Sequence, residues 1–165
     1  MKFRQILTHW RTSSWQVRQK FDRPTLVAIE QAIAVSEKLH RGELRFVIEG
    51  RLSLRQLFRE VTSRQRALQL FEKVGAGETA EHSGILIYVL LAERKVEIVA
   101  DSGITAKVPQ AEWDALCQRM TGAFAAGRYR DGALDGINGA TALLVMHFPA
   151  TKNNPNELDD APLIL

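Results

Sequence analysis

The stretch HSGILIYVLLAERKVEIVADSGI, residues 82–104, decides the fold of this chain. Its first run, residues 85–91, is apolar without a break, which is typical of a strand buried on both faces and therefore central in its sheet. The polar residues 92–94 predict a turn, and residues 96–100 form a second β-rich run. Two such runs with a short connection predict a β-hairpin.

A further strand precedes the hairpin. Residues 44–49, LRFVIE, are short and apolar, and residues 53–74 carry apolar side chains at helical spacing. Thr62 has the character of a helix cap, so this segment is predicted to be either one kinked helix or two helices. A strand, a helical crossover and a second strand form a βαβ unit. Strand 44–49 is therefore predicted to run parallel to the first strand of the hairpin.

Helices are predicted before and after this unit. Asp22, with a proline two residues later, indicates a helix start, and this helix is expected to reach His40. Two more helices are predicted at residues 109–127 and 131–147, and the apolar tail at residues 163–165 is expected to dock on the body, with a short edge strand as one form of docking. The predicted fold class is α/β in the order α-β-α-β-β-α-α. Helices would cover both faces of a small mixed sheet, with an extra N-terminal helical extension.

Composition bounds the class of protein. The 165 residues are most simply one domain, long enough to bury roughly 70% of the surface of the unfolded chain. A hydrophobic share of 45% and a charged share of 25% are typical of a globular protein. The single cysteine, Cys117, excludes an internal disulfide, and no apolar run is long enough for a transmembrane helix. The first twenty residues lack the apolar core of a signal peptide, so we expect a cytoplasmic protein.

The net charge of +3 is unevenly distributed. The first 23 residues carry six basic side chains against Asp22 alone, so the rest of the chain is net acidic. The six are Lys2, Arg4, Arg11, Arg18, Lys20 and Arg23. A nucleic-acid-binding domain more often carries its positive charge on the folded face, so we expect no nucleic-acid partner.

Residues 1–21 form a predicted basic amphipathic extension, and residues 22–165 form the domain. The apolar residues of the extension fall near one line of a helical wheel: Phe3, Ile6, Leu7, Trp10, Val17 and Phe21. One interpretation is a helix packed on the domain. A second is an interfacial helix on an anionic membrane, with aromatic residues inserted and arginines at the headgroups. A third is disorder. A role at the inner membrane face therefore stays open.

The predicted topology brings a set of polar residues to one edge of the sheet, where the hairpin ends and the parallel strand begins. The set is Glu37, Glu43, His82, Ser83, Gly84, Asp101 and Gly103. Carboxylates from Glu37, Glu43 and Asp101, with a hydroxyl and carbonyls, would suit Ca²⁺ or Mg²⁺. The alternative is structural, because Glu43 and Asp101 could cap helix ends and turns.

Catalytic motifs are weak by comparison. A phosphatase needs a nucleophile or a metal-activated water, and groups that stabilise charge on the phosphoryl. His82, Ser83 and Arg94 could take those roles, but no motif fixes them, and Arg94 is predicted at the opposite end of the hairpin. Cys117 is predicted to be a small core residue. The catalytic residues are therefore unknown at this stage.

Several segments, in order and with consistent spacing, resemble the TPM domain superfamily, which includes a thylakoid-lumen protein, a photosystem-repair factor and an animal receptor-modulating membrane protein. They are GELRFVIEG at 42–50, SRQRALQLF at 63–71, GILIYVL at 84–90, AERKVEIVADSGI at 92–104 and NELDDAPLIL at 156–165. The resemblance implies a three-layer α/β/α sandwich. Some members of the family are described as acid phosphatases or as calcium binders, and bacterial relatives often accompany LemA-like membrane proteins. Most short bacterial members have no established activity.

The chain departs from that family at two positions. Relatives commonly have asparagine where this chain has Ser83, and an aspartate-rich loop where it has residues 21–24. Our leading hypothesis is a non-enzymatic binding or accessory module near the inner membrane face. Its partner would be a LemA-like protein or an anionic membrane surface, contacted through residues 1–21. The alternative is a divalent-cation-dependent phosphoester hydrolase.

Overall fold

The computed structural model describes residues 14–151 and 156–165. The elements in chain order are α1 Ser14–Lys20, α2 Arg23–Ser36, β1 Glu43–Glu49, α3 Leu54–Phe58, α4 Ser63–Lys73, β2 Gly84–Leu90, a 3₁₀ turn Leu91–Glu93, β3 Lys95–Ala100, α5 Ser102–Thr105, α6 Gln110–Ala125, α7 Tyr129–His147 and β4 Leu163–Ile164. None of the helices in these ranges is long and apolar enough to cross a membrane.

The four strands form one mixed sheet in the order β3-β2-β1-β4. β1 and β2 run parallel, with Glu43 opposite Gly84, and β2 and β3 form the antiparallel hairpin. Both predictions from the sequence are confirmed, and so is the central place of β2. β4 adds a short parallel edge, with Val47 opposite Leu163. The apolar tail is therefore an edge strand.

β1 and β2 are buried along their whole length because helices cover both faces of the sheet. Successive side chains of a strand point to opposite faces, so each strand feeds two cores. One core joins Phe46 and Ile87 to α2, α6 and α7, and includes Ile33, Trp113 and Ile137. The other joins Val47 and Tyr88 to α4, and includes Ala67, Leu70 and Phe71. The molecule is thus a three-layer α/β/α sandwich, as predicted.

Tyr88 is the polar residue inside the apolar run of β2. Its hydroxyl donates to the Glu49 carboxylate (2.6 Å), and Arg66 of α4 donates two hydrogen bonds to the same carboxylate (2.9 and 3.0 Å). Burial, and then the charge of Glu49, raise the pKa of Tyr88. The three polar groups form hydrogen bonds with one another, so their burial between the sheet and α4 costs little free energy.

α2 begins as predicted and ends earlier than predicted. Asp22 caps it by accepting a hydrogen bond from the Thr25 backbone N–H (3.0 Å). The helix ends at Ser36, not near His40. Glu37 at the helix end turns inward to accept a hydrogen bond from the Leu44 backbone N–H, and His40 pairs as a β-bridge with Pro149. Because these contacts are made with residues outside the helix, α2 ends four residues earlier than predicted.

The segment between β1 and β2 contains two helices. Each begins with a capping box, Ser53 with Gln56 for α3 and Thr62 with Gln65 for α4. Reciprocal bonds of this kind satisfy two otherwise unpaired backbone N–H groups. Glu60 between the helices has a φ of 55°, which a continuous helix cannot contain. The alternative of two helices is confirmed.

The described part of the predicted extension is α1, and it packs on the body. Val17 and Phe21 are fully buried, and the Phe21 ring contacts Phe124 and Tyr129. Trp15 on the same helix is 66% exposed. The predictions for Phe3, Ile6, Leu7 and Trp10 lie outside the described residues.

Candidate functional site

The acidic edge is the end of the sheet where β1 and β2 begin, and it brings Glu37 and Glu43 together as predicted. Both side chains are buried. The Leu44 backbone N–H donates to Glu37 Oε1 (3.0 Å), and the Leu158 backbone N–H donates to Glu43 Oε2 (3.0 Å). Each carboxyl therefore holds a stretch of backbone, and Glu43 ties the C-terminal tail to β1.

Burial dominates the electrostatics of this pair. It raises the pKa of Glu37 to about 9, against a lowering by the Leu44 hydrogen bond, and the neighbouring Glu43 and Asp160 raise it further. The pKa of Glu43 is raised too, mainly by burial and then by Glu157 and Asp160. The tail residues Glu157 and Asp160 were missed in the sequence analysis. The acidic run NELDD was the available signal, but its place beside β1 depends on long-range packing.

Asp101 and His82 form a separate pair at the same edge. The Ser102 backbone N–H donates to Asp101 Oδ1 (2.6 Å), so Asp101 is the N-cap of the short helix α5. Its Oδ2 lies 3.5 Å from His82 Nδ1. The His82 side chain is largely exposed and its backbone φ is 50°. Asp101 thus has the capping role that was the structural alternative.

Ser83 is only 1% exposed. Its Oγ donates to the Arg41 carbonyl (3.0 Å), and its backbone N–H donates to Thr79 Oγ1 (2.9 Å). A hydroxyl buried in this way holds two loops together and is closed to a substrate. Arg94 lies at the far end of the hairpin, after the 3₁₀ turn, as predicted. His82 and Ser83 are therefore separated from the arginine that a phosphatase role would require.

Gly84 and Gly103 allow backbones to approach closely at this edge. A Cβ on Gly84 would lie 1.7 Å from the Ala76 carbonyl oxygen. A Cβ on Gly103 would lie 2.7 Å from the carbonyl oxygens of Glu81 and His82. Their role is packing of loops against the strand ends.

The predicted metal site used Glu37, Glu43 and Asp101. Within residues 14–151 and 156–165 no three His, Cys, Asp or Glu side chains are arranged to hold a metal ion. All three carboxyls also accept hydrogen bonds from backbone N–H groups, as described above. The Ca²⁺ or Mg²⁺ site stays a prediction.

Cys117 was predicted to be a core residue, and it packs against the main core. Burial raises the pKa of its thiol to about 11. A thiol with so high a pKa is almost wholly protonated at neutral pH, and the thiolate is the reactive form. The Cys117 thiol is therefore mostly in its less reactive, protonated form.

The opposite end of the sheet, where β1 and β2 finish, carries a surface that was missed in the sequence analysis. The sequence predicted helical spacing for the apolar residues Leu54, Leu57 and Phe58, and of these three only Leu57 packs on the core. Leu54 is 62% exposed and Phe58 is 77% exposed. We call this the α3 surface, formed by Arg51, Leu54, Arg55, Phe58 and Arg59. In RLSLRQLFRE, residues 51–60, two sets of residues recur every four positions: the apolar residues Leu54 and Phe58, and the arginines Arg51, Arg55 and Arg59. This pattern was visible in the sequence.

Further basic residues lie at this end. A cavity of about 170 Å³ opens beside the end of β2, with Lys20, Arg94 and Lys95 among its lining residues and no acidic side chain there. The Lys20 ammonium lies over the Tyr129 ring, 5.2 Å from its centroid. The end where β1 and β2 finish thus carries several cations, alongside Glu49, which is paired with Arg66, and Glu93, which is paired with Lys95. The buried carboxyls Glu37 and Glu43 lie at the end where the strands begin.

The fold defines a class of protein, a small α/β/α sandwich with a mixed sheet and a tail strand on its edge. The TPM domain family matches residues 18–143 of the chain. The chain belongs to the TPM domain family.

The chain is also similar to solved structures. The BA42 protein from the psychrophilic bacterium Bizionia argentinensis, solved by NMR, is 27% identical, with a TM-score of 0.76 over 86% of this chain and 93% of that one. The N-terminal domain of a P. gingivalis protein is 18% identical, with a TM-score of 0.44 over 74% of this chain and 93% of that one. A comparison with curated protein sequences finds no match.

Proposed function

We propose that this TPM-domain protein is a non-enzymatic binding module that works at the inner face of a membrane. One observation carries the first half of the proposal: the polar groups of the acidic edge are engaged in holding the chain together. Glu43 holds the tail, Asp101 caps α5, and the Ser83 hydroxyl binds the Arg41 carbonyl. A hydrolase would need these groups to converge in an open cleft.

The hydrolase alternative has less support. Nucleophilic attack needs an accessible nucleophile with a base beside it, and Ser83 is buried. Its Oγ has its hydrogen bond to a backbone carbonyl and not to His82. Charge on a transferring phosphoryl needs a cation close by, and Arg94 is at the other end of the hairpin. No observation favours this function over the binding module.

The membrane half of the proposal is supported by charge. The extension concentrates basic and aromatic residues, and α1 carries Trp15 in water beside Arg18. Aromatic side chains with flanking arginines suit the interface of an anionic bilayer. The partner proposed for residues 1–21 is such a lipid surface or a LemA-like membrane protein.

Vesicle sedimentation tests the proposal. The full chain is expected to bind vesicles of phosphatidylcholine with phosphatidylglycerol and not vesicles of phosphatidylcholine alone. Deleting residues 1–13 is expected to weaken this binding without unfolding the protein. A deletion through residue 20 would be a poor test, because it removes Val17 from the core.

The same preparation is assayed with a chromogenic phosphomonoester in the presence of Ca²⁺ or Mg²⁺. We expect no turnover. Hydrolysis that disappears in both Ser83→Ala and Asp101→Ala would contradict the non-enzymatic module. Equal sedimentation of the full chain with both kinds of vesicle would contradict the membrane role.

A further inference from the structure

We propose that the α3 surface is the part of the folded domain that docks on an anionic lipid bilayer. Leu54 and Phe58 would enter the headgroup region, and the arginines would bind lipid phosphates. The inference rests on the proposed membrane role and adds to it a defined contact site, separate from residues 1–13. The exposure, charge and position of the α3 surface support it.

The fold leaves the apolar part of the α3 surface exposed to solvent. Leu54 and Phe58 are one helical turn apart and therefore lie side by side on α3. Leu57 points the other way and packs on the core beneath α4. The capping box of Ser53 and Gln56 fixes the start of the helix. The two exposed side chains are thus presented by a defined element, and large exposed apolar groups rimmed by polar residues mark interaction sites.

The charged part of the surface has a matching order. Arg55 and Arg59 are one helical turn apart beside the apolar pair, and Arg51 precedes the Ser53 cap. All three arginines are exposed. None of them forms an ion pair with a residue in the described part of the chain. Guanidinium groups bind phosphate oxygens through two hydrogen bonds at once, which suits a layer of phosphodiester headgroups.

Neighbouring elements add further apolar and basic residues beside the α3 surface. Val17 of α1 lies against Gly50, the residue before Arg51, so α1 meets the body beside the start of this segment. Trp15 is exposed on α1, and the basic extension directly precedes that helix. Arg94 lies at the same end of the sheet. Two apolar-and-basic segments therefore meet at one end of the molecule.

The geometry favours a bilayer over a protein partner. A stable protein interface buries roughly 800 Å² on each partner, and two side chains on a five-residue helix offer far less. A bilayer needs only a shallow apolar insertion, because its surface potential attracts every nearby cation. The exposed carboxylates Glu81 and Asp159 lie at the opposite end, where they would face away from anionic lipid.

The test measures sedimentation with phosphatidylglycerol-containing vesicles for the full chain and three multiple variants. Leu54→Ser with Phe58→Ser is expected to weaken binding about tenfold or more, by loss of the inserted groups. Arg51→Gln, Arg55→Gln and Arg59→Gln together should weaken it by about fivefold for each arginine. The matched control is Val35→Ser with Met146→Ser, two equally exposed apolar residues near the acidic edge, and we expect it to bind like the wild type.

The outcomes separate this inference from the proposed function. If the wild type binds and the Leu54/Phe58 and arginine variants bind equally well, the α3 surface is not the contact and the membrane role stands on the extension alone. If the wild type does not bind, both proposals are wrong. If the Val35/Met146 control weakens as much as the α3 variants, the contact is not specific to α3 and the inference is overturned. Melting curves confirm that every variant is folded.

Discussion

The carboxyl group of Glu37 holds a proton in the folded protein that the unfolded chain releases near pH 4.5. Its pKa is raised to about 9, mainly because burial disfavours the charged form. A raised carboxyl pKa means that the folded state binds the proton more tightly. The stability from this group is therefore complete below its unfolded pKa and is lost as the pH rises towards about 9.

Glu37→Gln should reduce this pH dependence. Glutamine keeps an acceptor for the Leu44 backbone N–H and carries no charge. Between pH 5 and pH 9 the free energy of unfolding of the wild type should fall by roughly 1 to 3 kcal/mol more than that of the variant. Urea unfolding at several pH values measures the difference. Glu30→Gln, an exposed carboxyl on the same helix, should follow the wild type, and parallel curves for all three proteins would contradict the prediction.

At the scale of an element, β2 can begin only where a residue without a side chain allows it. Gly84 lies under the Ala76 carbonyl, and any Cβ there would overlap it. Gly84→Ala should therefore displace the loop after α4 and destabilise the protein by about 3 kcal/mol or more.

The matched control for Gly84 is Gly122 in α6, where a Cβ would meet nothing within 4 Å. Gly122→Ala should be neutral or stabilising by up to about 1 kcal/mol, because glycine is a poor helix former. Thermal melts of both variants decide the matter. Equal melting temperatures for the two would show that the loop at Ala76 yields without cost.

The elements that the sequence predicted are those specified by neighbouring residues. The hairpin follows from an apolar run and a polar turn, and α2, α3 and α4 begin at caps that lie within three residues of their partners. The end of α2 was wrong because Glu37 and His40 bind residues further along the chain. The spacing of apolar residues predicted a helix at α3. Because this helix has only five residues, Leu57 alone suffices to anchor it. The pattern therefore did not show which of its side chains face water.

The residues of the candidate site also differ in how far the sequence predicts their positions. Glu37 and Glu43 were predicted to meet, because the direction of each element determines where its ends lie. Glu157 and Asp160 were not, because their position depends on the tail folding back onto β1 over more than a hundred residues. The capping role of Asp101 was predicted as an alternative, since it needs only the next backbone N–H.

At the scale of the whole molecule, the tail completes the sheet. β4 pairs with β1, the Gly50 backbone N–H donates to the Leu165 carbonyl, and the Leu165 backbone N–H donates to the Ile48 carbonyl. Removing residues 163–165 should leave the edge of β1 unpaired, which lowers the free energy of unfolding by about 2 kcal/mol and promotes self-association through the open edge.

Analytical ultracentrifugation and urea unfolding test this prediction about the tail. The control is Ile164→Ser with Leu165→Ser, which keeps the backbone bonds and changes only partly exposed side chains. It should sediment like the wild type. A shortened chain with unchanged sedimentation and stability would mean that β4 is not needed to protect β1.

The pairing of β1 with β4 also has a consequence for biosynthesis. β1 leaves the ribosome long before its outer neighbour, since residues 163–164 follow it by most of the chain. At the usual rate of synthesis the delay is about 5 to 25 seconds, during which the nascent protein has an open, hydrogen-bonding edge next to its most apolar strands. β1 is therefore open to aggregation for at least this time, and a factor that covers it would protect the chain until β4 pairs with it.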